Sequence, residues 1–123
     1  MRIDNPILGS PVSGDFTAGD FVWPAVLINT PTVTKTSTSV FNATATFNIQ
    51  IILCDTSANN VTINLPTAVG NTAIYHIKKT SSNNLLVLDP TGAETIDGSA
   101  TVTVSVQYET LTLVSDNINW SVI

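Results

Sequence analysis

From Val33 onward, apolar and polar residues alternate with a period of two, the pattern of strands with one buried face. Thr44 to Cys54 sets Phe47, Ile49 and Ile51 on one face and Thr46, Asn48 and Gln50 on the other. Val61, Ile63 and Leu65 alternate with Thr62 and Asn64 until Pro66 ends the run. In Ala73 to Lys79, Tyr75 and Ile77 share one face; Ile74, His76 and Lys78 share the other. Leu85 to Leu88 is a short apolar run closed by the turn Asp89-Pro90-Thr91-Gly92. Asp97-Gly98 is the strongest hairpin signal in the chain. Val102, Val104 and Val106 follow it, then Leu111 and Leu113, and last Ile118, Trp120 and Val122. Thr32 to Ser39 reads as a polar strand or extended connector, and helical periodicity is absent throughout. The expected fold is all-β, a compact antiparallel β-sandwich or barrel of about seven or eight short strands.

An internal echo accompanies the strands. Ser57-Ala58-Asn59-Asn60-Val61-Thr62-Ile63-Asn64-Leu65-Pro66-Thr67 aligns with Ser81-Ser82-Asn83-Asn84-Leu85-Leu86-Val87-Leu88-Asp89-Pro90-Thr91, 24 positions later. A single pair is too little for a solenoid, and it reads as two similar hairpin units.

Residues 1–31 differ from residues 32–123. Pro6, Pro11, Pro24 and Pro31, with Gly9, Gly14 and Gly19, break regular structure every few residues. Yet Ile3, Ile7, Leu8, Phe16, Phe21 and Trp23 make the stretch too apolar for a solvated tether. It is expected to be an extended N-terminal arm lying against a surface, leaving residues 32–123 as a knob domain. Trp23, beside Pro24, is the candidate anchor.

Composition narrows the function classes. Thr, Ser and Asn supply 19, 11 and 12 residues, together 42 of 123, while only 11% of residues are charged. With four Lys and Arg and a net charge of −5, the chain cannot build the basic face of a nucleic-acid binder. The longest apolar runs are four residues, such as Ala25 to Ile28, so no membrane span and no signal-peptide core are visible. The single Cys54 allows no internal disulfide, which suits assembly in a reducing cytoplasm.

Candidate chemistry is sparse. A Cys54–His76 nucleophile pair would need both side chains within hydrogen-bond reach, whereas Cys54 ends an apolar strand where a small thiol packs well. The acidic residues sit mainly at expected turns, and the spacing around Asp15 and Asp20 lacks the oxygen-ligand density of a calcium loop. The six glycines are dispersed, without a phosphate-binding loop. The chain therefore reads as a non-enzyme with no catalytic residue, metal or cofactor.

Several motifs in order have a familiar character: Ile52-Leu53-Cys54-Asp55, Asn60 to Pro66, Tyr75-His76-Ile77-Lys78-Lys79-Thr80, Asp89 to Gly98, Tyr108 to Asp116, and Trp120. This series resembles a β-domain found in bacteriophage virion proteins, both head-decoration or head-fibre proteins and tail-fibre ends. The resemblance implies a non-enzymatic, homotrimeric structural or binding module. Only about fifty residues precede the matching region, and the chain starts at Met1, as a complete short gene product would. The resulting expectation is a capsid decoration (cement or short head-fibre) protein, made in the host cytoplasm and located on the virion surface. Its partners would be two further copies of itself and the major capsid protein, docked through the arm. The alternative is a tail receptor-binding module that attaches to host surface glycans through knob loops at Asn59, Asn60, Ser82, Asn83, Asn84 and Asn117. Neither reading involves nucleic acid or membrane.

Overall fold

A computed structural model describes residues 31–45 and 49–123. Among these there is no helix, and nine strands are present: β1 (Thr32–Thr36), β2 (Val40–Asn42), β3 (Ile49–Cys54), β4 (Val61–Asn64), β5 (Ile74–Lys79), β6 (Leu86–Asp89), β7 (Val102–Val104), β8 (Thr110–Ser115) and β9 (Trp120–Val122). They form a five-stranded sheet, β9-β8-β5-β3-β1, and a four-stranded sheet, β2-β4-β6-β7. The all-β expectation therefore holds, with nine strands among the described residues in place of seven or eight, and of the sandwich and barrel alternatives the two sheets fit the sandwich. The arm residues Ile3, Ile7, Leu8, Phe16, Phe21 and Trp23 lie outside the described residues, as do Thr46, Phe47 and Asn48.

The antiparallel expectation is overturned. Four of the seven strand pairs are parallel, β1 with β3, β3 with β5, β2 with β4 and β4 with β6. From β1 to β6 the chain changes sheet at every connection, so β1–β2, β3–β4 and β5–β6 are successive coils stacked on one another. Parallel neighbours need a crossover, and here the strand of the opposite sheet supplies it. Antiparallel β7, β8 and β9 finish the sheets. The two segments of the internal echo thus lie in neighbouring coils rather than in a pair of hairpins. Val61 pairs with Leu86 and Ile63 with Leu88, an offset of 25. A pairing offset of 24 would set Val61 against Leu85, which is exposed, and would turn every side chain of the strand to the wrong face.

One hydrophobic core fills the space between the sheets. Ile52, Tyr75, Ile77 and Leu113 enter it from the five-stranded sheet; Val61, Ile63, Leu86, Leu88 and Val104 enter from the other. Trp120 packs edge-on against Tyr75, with ring centroids 5.4 Å apart and planes at 79°. The phase of β3 is the reverse of the sequence expectation. Gln50, Ile52 and Cys54 are buried, whereas Ile49 and Ile51 face outward. The run Ile51-Ile52-Leu53 is apolar on both faces, so alternation alone cannot choose. The parallel partner decides, because Gln50, Ile52 and Cys54 pair with the inward Tyr75, Ile77 and Lys79.

Three local expectations also change. Asp97 and Gly98 do form a tight turn, with φ +49° and +85°, but only the single bridge Ile96–Ser99 flanks it. Val106 lies beyond the end of β7, 61% exposed. Ile118 is 67% exposed in the turn before β9, where Asp116 accepts hydrogen bonds from the N–H groups of Ile118 and Asn119. Those two bonds hold the Asp116 carboxyl below its ordinary pKa.

Candidate functional site

The structure divides the anticipated knob loops between the two ends of the five-stranded sheet. The turns 55–60 and 80–85 leave the C-terminal ends of β3 and β5 and stack as neighbouring coils. Their polar groups face each other. The Asn84 side chain donates to Thr56 O at 2.8 Å, Asn60 Oδ1 accepts from Leu85 N at 3.0 Å, and Thr56 Oγ1 donates to Asn83 O. Asn59, Ser82 and Asn83 are exposed on the same turns. Asn117 sits at the other end, where its Oδ1 accepts from Gly70 N. Asn60 and Asn84 therefore act as ties between coils, a role that the stacked parallel register explains.

Lys79, unmarked by sequence reasoning, holds these turns from beneath. It faces inward from β5, is fully buried, and donates from Nζ to Ser81 O and Asn83 O. Cys54 is its strand neighbour and is also fully buried. Burial pushes the Cys54 thiol up to about 12. His76 points to the opposite face, where Nδ1 is 2.8 Å from Thr112 Oγ1. The strand alternation thus separates Cys54 from His76, and the two do not form a nucleophile pair. Among the described residues no group of His, Cys, Asp and Glu is arranged to hold a metal ion.

The outward face of the five-stranded sheet is organised in rows. Ile49, Ile74 and Val114 make one row, ended by Ser121. Val33, Ile51, His76 and Thr112 make the next. Both rows lack lysine and acidic side chains. The third row, at the C-terminal ends of the parallel strands, is Lys35, Leu53, Lys78 and Thr110. Lys35 and Lys78 stand two strands apart, about 9.6 Å between backbones. Beside them Lys35, Leu53, Asp55 and Thr80 line an open depression. Asp55 is exposed, and the Ser57 N–H bound to its carboxylate lowers its pKa.

Tyr108 completes this end. Lys78 Nζ lies 5.4 Å from the centre of its ring, and the side chain is 62% exposed. Tyr108 occupies the third position of a turn closed by Glu109 N to Val106 O, with φ +68°. Glycine or asparagine normally fills such a position. Among the described residues the other non-glycine positions at positive φ are Asn84, Asp97 and Asn117, all types that tolerate it. A tyrosine there costs on the order of 1–3 kcal/mol. The Tyr108 N–H to Lys79 O bond and the Gln107 side-chain bond to Thr80 O fasten the turn to β5. Nothing in the alternation pattern marks Tyr108, because the signal lies in its backbone conformation.

Comparison with protein-family models, with curated proteins and with solved structures finds no match to this chain.

Proposed function

We propose that the protein is a structural subunit of a bacteriophage virion, a trimeric capsid decoration protein. Residues 1–31 dock on the major capsid protein, and residues 32–123 form a rigid knob. The observation that carries the reading is the pair of rows without lysine or acidic side chains on the five-stranded sheet, centred on Ile51 and Ile74. A chain of net charge −5 repels its own copies wherever charge is displayed. The rows around Ile51 and Ile74 lie where that repulsion is weakest, and burying them between copies removes apolar surface from water. In a closed three-fold ring each copy turns the same face to the axis, and the head-to-tail contacts close without leaving an open edge for further addition. β1, the edge strand of this sheet, follows directly from the arm, so docking and self-association act on one rigid body.

Deletion of residues 1–30 tests the reading. The truncated knob should remain trimeric in solution and fail to coat purified phage heads, whereas the full chain coats them. A truncated knob that still coats heads overturns arm docking. The exposed Tyr108 favours a second reading, a tail module that attaches to host surface glycans.

A further inference from the structure

We infer that the Lys35–Lys78 row, with Tyr108 and Asp55, is a binding site for an acidic saccharide. The inference deepens the glycan-binding reading but stands apart from arm docking and from a head or tail location.

Four observations converge on this end of the sheet. First, Tyr108 keeps a conformation that disfavours its side chain, so its presence is not explained by the turn itself. Its ring presents an apolar face on which the C–H face of a pyranose ring can stack. Secondly, Lys78 beneath the ring and Lys35 across the sheet concentrate positive charge in a chain of net charge −5. The anion they would bind is thereby distinguished from the protein's own acidic surface. Thirdly, Lys35, Leu53, Asp55 and Thr80 line a depression at the same end of the sheet. There the Asp55 carboxylate accepts from sugar hydroxyls and a lysine ammonium pairs with a sugar carboxylate. Fourthly, the parallel strands β3 and β5 hold the site on a sheet, with Gln107 and the Tyr108 N–H fastening the turn. A site held rigid loses little freedom on binding. The mixture of one stacking ring, two cations and one carboxylate acceptor fits a carboxylated sugar better than inorganic phosphate, which has no apolar face to stack on Tyr108.

Titration of the full-length protein by calorimetry, with trigalacturonate, maltotriose and inorganic phosphate as probes, tests the assignment. Trigalacturonate should bind, maltotriose about tenfold more weakly, and phosphate not measurably. Tyr108→Gly should weaken trigalacturonate binding about tenfold while raising the unfolding midpoint, because the turn loses its strain; Tyr108→Phe should bind like the parent. Lys78→Gln and Lys35→Gln should each reduce the preference for trigalacturonate over maltotriose. No binding of either saccharide overturns the site. So does trigalacturonate binding that Tyr108→Gly leaves unchanged, which would mean simple attraction of a polyanion to two lysines. A lower midpoint in Tyr108→Gly would also overturn it, since the ring would then belong to the fold. Head coating by the full chain is unaffected by any of these outcomes, so failure here and failure of arm docking are distinguishable.

Discussion

Val61 and Leu86 lie side by side in parallel register, 25 positions apart, and both are fully buried. Each belongs to a different coil, so their contact joins two turns of the chain rather than two arms of a hairpin. Leu86→Ala should therefore cost about 2–5 kcal/mol, the range for a fully enclosed leucine. Urea denaturation followed by tryptophan fluorescence measures the loss. A cost below about 1 kcal/mol would show that the coils do not depend on this contact.

Lys79 gives a contrast between volume and hydrogen bonding. Lys79→Met keeps most of the buried volume but leaves Ser81 O and Asn83 O without the ammonium donor. Asn83 O keeps the bond from Thr56 Oγ1, so the cost falls on Ser81 O, about 1–3 kcal/mol for a carbonyl left unpaired. The variant should be less stable than the parent despite its more apolar core. Amide hydrogen exchange should quicken first in residues 80–85.

How much of this was legible in the sequence depends on the kind of information alternation carries. Period two shows which residues share a face, and for β4 and β5 it grouped Val61 with Ile63 and Tyr75 with Ile77, the residues the structure turns inward; the continuous run Leu85 to Leu88 assigned no face to β6. Alternation says nothing about which strand lies next to which. The parallel neighbours β3 and β5 were therefore hidden, and with them the inverted phase of β3. The Asn-Asn echo marked the two segments that pair, one residue out of their register, and two copies of a motif fit a pair of hairpins as well as a pair of coils. Tyr108 was invisible for another reason, since only a backbone dihedral distinguishes it from an ordinary surface tyrosine.

Asn84 tests whether the turns tie the coils together. Asn84→Ala removes the bond to Thr56 O and puts at φ +58° a residue that tolerates the left-handed conformation less well than asparagine, so both effects destabilise, by roughly 1–3 kcal/mol together. Asn84→Gly loses the bond but relaxes the backbone, and it should fall between the parent and the alanine variant. Thermal unfolding of the three proteins gives the order directly. Alanine ranking above glycine would contradict the geometry.

Cys54 carries a pH dependence with a definite sign. With its pKa raised from 9.0 to about 12 by burial, the folded protein favours the neutral thiol. That contribution is complete below about pH 9 and is lost as pH rises toward 12. At pH 8 the folded thiolate fraction is on the order of 10⁻⁴, against about a tenth for an unperturbed thiol. The native protein should resist iodoacetamide at pH 8, and urea-unfolded protein should alkylate readily. Mass spectrometry reads both outcomes.

Ile51→Lys tests the association face. It places a charge at the centre of the rows without lysine or acidic side chains, beside Val33 and His76, on a side chain that is already partly exposed. Folding should change by no more than about 0.5 kcal/mol. Light scattering after size exclusion should show the parent as a trimer and the variant as a monomer. A variant that remains trimeric would place the contact elsewhere.

The step from the β3–β4 coil to the β5–β6 coil is 25 residues in both sheets, whereas the step before it is 18 residues in one sheet and 22 in the other, so the unit whose two ladders match is the 25-residue one. Duplicating one such unit would lengthen the body by one strand spacing in each sheet, about 4.8 Å, with every inward side chain still facing inward. The architecture thus works as a ruler whose length is set by the number of turns, independently of what either end recognises.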